Sequence, residues 1–194
     1  MHWSMKLAWI LVATIGTIGT VVMGAYTYAG GFQSLTVDTV ETTSQPMAGL
    51  YYRGGYETMV PTFEKANLLL DSLGIAKTPR LAWFFDDPKT VAKQNCRGFY
   101  GRALTQTLDS AALFSLRASG LHLDTLPGGK ALVVLYRASN TLAYRVGPLL
   151  AYPLLEKAIQ EAHYNAPIAV YERYDEEKEV TYYTAVLGNE NSKK

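Results

Sequence analysis

The feature that most restricts the fold of this chain is an internal echo. Tyr52-Arg53 returns as Tyr136-Arg137, 84 residues on, and Pro79 returns as Pro167, 88 residues on. Around both pairs the chain runs through one series: strand, turn, strand, helix, strand, acidic turn, strand. In the first pass Leu35, Val37 and Thr39 alternate with polar residues as a half-buried strand does. Pro46 breaks that strand, Met47 to Arg53 forms a second, and Gly54-Gly55 ends it. Thr58 to Gly74 has the three/four spacing of an amphipathic helix (Val60, Phe63, Ala66, Asn67, Leu70, Leu73), with Thr58 as N-cap and Gly74 just past its end. Arg80 to Phe85 and Arg97 to Leu104 are strands around an Asp86-Asp87-Pro88 turn.

The second pass gives strands over Leu121–Leu126 and Ala131–Ala138, joined by the Pro127-Gly128-Gly129 turn. A helix then opens at Asn140 or Thr141 and runs to about Ala162, with Pro148 and Pro153 delaying its start or kinking it. Strands at Ile168–Tyr174 and Val180–Leu187 close the series, and Thr105 to Arg117, between the passes, reads as a short helix or loop. A unit of this size cannot bury its sheet and helix faces alone, so the two copies should pack about a pseudo-two-fold axis. The expected class is α+β: a duplicated β-β-α-β-β unit, largely antiparallel, with one helix on a face of each sheet and a cleft between the halves.

Ahead of this unit, Leu7 to Ala29 holds no charged residue. As a helix those 23 positions span roughly 34 Å, enough for a hydrocarbon layer of about 30 Å. Trp3 and Trp9 at one end and Tyr26 and Tyr28 at the other suit the two interfaces. A cleaved signal peptide is the rival, but the apolar run exceeds a usual h-region. The chain thus divides into a membrane anchor at 1–31 (transmembrane helix about 7–29), a domain at 32–188 and a short polar tail at 189–194. Gly16, Thr20 and Gly24 recur every four residues and offer a helix-packing face. Lys6 alone flanks the span, and by the positive-inside rule it would place the N-terminus in the cytosol.

Composition narrows the chemistry. The formal net charge is +1 and no Lys/Arg stripe occurs, so no nucleic acid partner is expected. One cysteine, Cys96, excludes an intrachain disulfide. The three histidines lack metal-ligand spacing, and no nucleophile, P-loop or dinucleotide motif is present, so no metal, cofactor or catalytic residue is assigned. Glu172 lies among apolar strand residues, where a carboxylate must pair with a cation or select a cationic ligand. With Tyr52, Trp83, Phe85, Tyr136 and Tyr183 it forms the expected pocket, since aromatic rings add cation–π attraction. Trp83 and Phe85, two apart, share a sheet face.

The strand, the Gly-Gly pair, the amphipathic helix, then W-F-F-D-D-P (Trp83–Pro88) and C-R-G-F-Y-G (Cys96–Gly101) resemble the GyrI-like effector-binding domain, over about Ser34 to Leu187. Within it the chain is most similar to the testis-expressed ER-phagy receptor group, which joins one membrane helix to such a domain. The resemblance implies a small-molecule-binding fold on a single-pass tether, with the domain in the cytosol. It implies the endoplasmic reticulum membrane in a eukaryote, and the inner membrane is expected in a bacterium. Those receptors carry a long tail with an autophagy-protein binding motif, and residues 188–194 hold no acidic-aromatic motif of that kind. Hydrolases among GyrI-like proteins use cleft carboxylates, and Thr181 stands where a second Glu would align with Glu172. Three functions remain. The favoured one is a tethered module binding a small apolar or cationic ligand, or a protein partner. A hydrolase using Glu172 as base and an accessory subunit of a membrane complex are the alternatives.

Overall fold

The computed structural model describes residues 2–188. The helices are α1 (His2–Tyr28), α2 (Val60–Ser72), α3 (Ser110–Ala118) and α4 (Ala143–Glu161). The strands are β1 (Val37–Thr42), β2 (Gln45–Arg53), β3 (Arg80–Phe84), β4 (Arg97–Ala103), β5 (His122–Leu126), β6 (Gly129–Arg137), β7 (Ala169–Asp175) and β8 (Val180–Val186). They form one sheet in the order β1-β6-β8-β7-β3-β4-β2-β5, with every neighbouring pair antiparallel. Exchange β1–β4 for β5–β8 and the order reads the same from the opposite edge. The fold is α+β and repeats the unit that the echo implied.

Two expectations need correction. The halves do not face one another as separate sheets: they join side by side, β3 against β7, in one eight-stranded sheet. They also trade edge strands, β1 pairing with β6 and β5 with β2. Thr43-Ser44, between β1 and β2, lacks the Gly or Asn that a two-residue hairpin turn requires, so the chain runs on instead of folding back. The β5–β6 link crosses it at Gly128, where a Cβ would lie 2.3 Å from the Ser44 backbone nitrogen.

The register refines the repeat. Tyr52 pairs with Gly98 and Tyr136 with Thr181, so β2 and β6 are equivalent at an offset of 84, and β4 and β8 at 83. Ala82 lies opposite Tyr100, and Glu172 opposite Tyr183, which sets the β3–β7 offset at 90. Pro79 and Pro167, 88 apart, are therefore not strict counterparts. The growth from 84 to 90 equals the excess of α4, at 19 residues, over α2, at 13.

Both long helices cover one sheet face. α2 buries Phe63, Ala66, Asn67 and Leu70, the inner stripe of a helix. Thr58 does not cap it: a 3-10 turn at Tyr56–Thr58 leads in, and the Thr58 hydroxyl bonds Gly55 O at 2.8 Å. Gly74 adopts φ +68 beyond its end, a left-handed conformation that favours glycine. α4 buries Ala143, Gly147, Ala151 and Leu155. Three of these are small because the sheet below supplies the bulk, with Tyr136 and Tyr183 fully buried. α3 is a true helix, its Asp109 cap accepting from Ala112 N at 2.7 Å. It packs its Leu116 with Ala48, Leu70 and Leu121. Among the described residues no α-helix covers the opposite sheet face, yet Met47, Leu81, Phe99, Leu126, Ala131, Ala169 and Val186 are buried there in one cluster. Residues from seven strands meet because the crossing links bend the sheet sharply, and this face is the inside of the bend.

α1 projects from the domain. Lys6–Tyr28 has a mean hydropathy of 1.9 and none of its most apolar window is buried, so by length and composition it could cross a membrane. Its end is tied to the second half. The Tyr136 hydroxyl donates to Ala29 O, and Asn140 Nδ2 donates to Tyr28 O at 2.8 Å. Gln33 closes a ring with the Arg137 backbone, donating from Nε2 and accepting at Oε1, both at 2.9 Å.

Candidate ligand site

The helix-covered face has a central row set by the register. Tyr100 of β4 pairs with Ala82 of β3, Ala82 with Glu172 of β7, and Glu172 with Tyr183 of β8. Paired residues share a face, so all four side chains point toward the helices. Glu172 is 5% exposed. Its Oε1 accepts from the Tyr152 hydroxyl of α4 at 2.7 Å, and its Oε2 from the Tyr174 hydroxyl, two residues along its own strand. Among the described residues no Lys, Arg or His pairs with it. Burial pushes the Glu172 carboxyl above its ordinary 4.5, opposed by the two tyrosine hydrogen bonds. Tyr152 and Tyr174 are driven well up, by burial first and then by the adjacent carboxylate.

Aromatic rings surround the carboxylate. Tyr152 meets Tyr183 edge-on at 5.5 Å, and Tyr174 lies 5.4 Å from Phe63 of α2 and 5.9 Å from Tyr144 of α4. Phe63 in turn meets Tyr100 at 6.0 Å. Edge and tilted contacts put ring edges, which carry partial positive charge, against neighbouring faces. The negative faces of a ring set like this suit a cation. Among the described residues Glu172 is the one buried acid on this face, Thr181 standing beside Tyr174 with a buried hydroxyl that has no partner. No group of three His, Cys, Asp or Glu among the described residues could hold a metal ion.

Of the six residues expected to share a pocket, four lie on this face. Glu172 and Tyr183 are adjacent at its centre. Tyr136 lies beside them, next to Gly147, where a Cβ would come within 3.0 Å of its ring and 2.3 Å of the Tyr183 hydroxyl. Tyr52 lies further out in the first half, its ring 5.5 Å from Tyr100 and its hydroxyl bonded to Gly55 O at 2.8 Å. The structure does not bring Trp83 and Phe85 to this group. They do share a face, in edge contact at 4.7 Å, but it is the inside of the bend, with Tyr171 and Phe99. The reason is the register: Ala82 lies opposite Glu172, so Trp83 must point the other way.

The sequence reading missed Tyr152 and Tyr174. Tyr174 was legible, because Y-E-R-Y puts it on the face of Glu172. Tyr152 was not, since only tertiary packing decides which α4 residue overlies β7. The motifs behind the family resemblance serve the β3–β4 turn: Asp86 Oδ2 accepts from Arg97 N at 2.8 Å and Nε at 2.9 Å, and Oδ1 from Nη2 at 2.8 Å.

No protein-family model and no curated protein sequence matches the chain. Solved structures do. The EcmrR C-terminal domain aligns over 80% of this chain and 99% of its own, at 10% identity and a TM-score of 0.53. SAV2435 bound to tetraphenylphosphonium aligns over 81% and 95%, at 11% identity and 0.52. EcmrR in its complex with DNA aligns over 91% of this chain at 9% identity and 0.56, and this chain spans 66% of that one. At such identities the likeness concerns fold alone: this chain shares the α+β architecture of these structures, which are GyrI-like effector-binding folds.

Proposed function

We propose that this chain is a membrane-tethered receptor for lipophilic aromatic cations. One observation carries the reading: Glu172 is buried, and among the described residues its partners are two neutral hydroxyls. A buried carboxylate without a counter-ion is costly, and a cation entering the ring set would relieve that cost. The way in lies through α4. Pro148 and Pro153 sit inside this helix on either side of Tyr152, and each removes an i→i−4 hydrogen bond. The helix is weakest where it lays Tyr152 over the carboxylate. A cation displacing Tyr152 would take its place on Glu172. SAV2435, of the same fold, is known bound to one such cation, tetraphenylphosphonium.

The test is calorimetric titration of tetraphenylphosphonium into the full chain in detergent micelles. Glu172→Gln keeps the side-chain volume and should weaken binding at least tenfold, about 1.4 kcal/mol. Equal affinities for the two proteins would refute the reading. A hydrolase has less support, because Thr181 offers no second carboxylate beside Glu172. Tethering is supported by the length and exposure of Lys6–Tyr28, and a single-pass topology is checked by alkaline extraction of membranes. Gly16, Thr20 and Gly24 face open space, the Thr20 hydroxyl folding back onto Gly16 O at 2.9 Å, so a partner helix could pack there. Kinship with the receptor group, a cytosolic domain and an endoplasmic reticulum location rest on the sequence motifs alone.

A further inference from the structure

The first half of the helix-covered face holds a polar atom that the cation site does not use. Tyr100 is fully buried, and among the described residues its hydroxyl has no hydrogen-bond partner. Its ring lies against Tyr52, Phe63 and Phe84 at 5.5, 6.0 and 6.1 Å. The hydroxyl sits over Gly98, where a Cβ would approach it to 2.8 Å, so glycine at 98 makes its seat. A buried hydroxyl that satisfies nothing within the protein is rare and calls for an external partner. Between Tyr100 and Glu172 lies Ala82, whose methyl is the smallest side chain in the row. The two Cα atoms are two strand spacings apart, roughly 10 Å.

We infer that this face recognises its ligand at two points: a cation at Glu172, and a hydrogen-bond acceptor on the ligand's aromatic body, held by the Tyr100 hydroxyl. This rests on the cation reading above. The ligand class narrows to aromatic cations that carry a carbonyl or ether oxygen about one ring from the charge. Ala82, the smallest side chain of the row, lies between the two points, and Phe63 and Phe84 pack beside it in one buried aromatic cluster that the ligand's ring would join. Recognition is therefore asymmetric along the pseudo-dyad, with charge in the second half and neutral hydrogen bonding in the first.

A matched pair of probes tests this: (4-acetylphenyl)triphenylphosphonium, which has an acceptor, and (4-isopropylphenyl)triphenylphosphonium, of the same shape without one. Both are titrated into the full chain in detergent micelles. The wild type should prefer the acetyl probe about tenfold, as a hydrogen bond made in a desolvated site allows. In Tyr100→Phe the ratio should collapse to about one, while Glu172→Gln should weaken both probes and keep the ratio. The acetyl carbonyl stretch should move to lower frequency on binding the wild type and not on binding Tyr100→Phe, a readout independent of affinity. Equal affinities in the wild type, or a ratio that survives Tyr100→Phe, would overturn the inference. Binding of both probes equally and through Glu172 would sink this inference alone, and failure of both to bind would sink the cation reading with it.

Discussion

The two halves share a topology and differ at its midpoint. The β3–β7 junction pairs Ala82 with Glu172, residues that the repeat makes equivalent. On one side is a methyl group, on the other a carboxylate held by two tyrosines. The tyrosine hydroxyls around the central row differ too: Tyr152 and Tyr174 bond Glu172, whereas among the described residues the Tyr100 hydroxyl has no partner. The halves also differ in backbone crowding. The first half pairs Gly49 with Gly101, where the second pairs Val133 with Thr184. Among the described residues, the hydrogen bonds that hold the end of α1 and the chain just after it come from the second half, through Tyr136, Asn140 and Arg137. A duplicated unit keeps its hydrogen-bond ladder and its helix-facing rows, because both copies need them to share one sheet. Single positions inside that frame are free to diverge, and here divergence has placed the charge and the anchor in the same copy.

The sharpest way to break the comparison is to erase the glycine pair. Gly101→Thr gives the first half the residue of its counterpart, but a Cβ at 101 would lie 1.9 Å from Ala48 O. Backbone cannot retreat as a side chain can, so a loss above about 4 kcal/mol is expected, seen as failure to fold or a collapsed melting temperature. A tolerated Thr there would mean that the two halves are equally crowded at this pair.

Removing hydroxyls should act with opposite signs. Tyr152→Phe leaves a lone pair of the buried Glu172 carboxylate unanswered and should cost about 1–3 kcal/mol. Tyr100→Phe removes a hydroxyl that has no partner among the described residues and should stabilise the chain by up to about 1 kcal/mol. Thermal melts of both variants in the absence of ligand decide it, and matching signs would remove the distinction.

The pH dependence separates the halves more finely. Arg97 beside Asp86 holds that carboxyl below its ordinary value, so its contribution is present above the unfolded carboxyl range and fades as pH falls. Glu172 is raised, so the native state keeps a proton that the unfolded chain has released. Its share of stability is present below the ordinary 4.5 and is lost as pH rises through the native value. Glu172→Gln should flatten the decline in melting temperature above about pH 4.5 and leave unchanged the acid limb, which Asp86 shares with Glu57, Asp71 and Asp175. An unaltered profile would mean that Glu172 is not held protonated by burial. By the same linkage, cation binding should strengthen as pH rises through this range.

The α+β class, both long helices and the unit order were legible because hydrophobic period and turn chemistry are local. Even the α3 region, ambiguous between helix and loop, carried its Asp109 cap in the sequence. Glu172 was legible as an anomaly, a charge in an apolar strand, and Tyr174 lay within reach of the same two-residue period. The exchange of β1 and β5 was not legible, and neither was the choice of face for Trp83 and Phe85. Both depend on which strands pair and in what register, and one step of register moves every side chain to the opposite face.

The amino-acid order by itself decided that a repeated unit follows an uncharged span, and that one carboxylate would need company in a greasy strand. Only the folded chain decided what that company is. Tyr152 reaches Glu172 from 20 residues earlier, and Tyr100 joins the row across two intervening strand contacts. Contacts of that kind follow from how strands are ordered and how closely a helix of small residues settles on them, which no local stretch encodes.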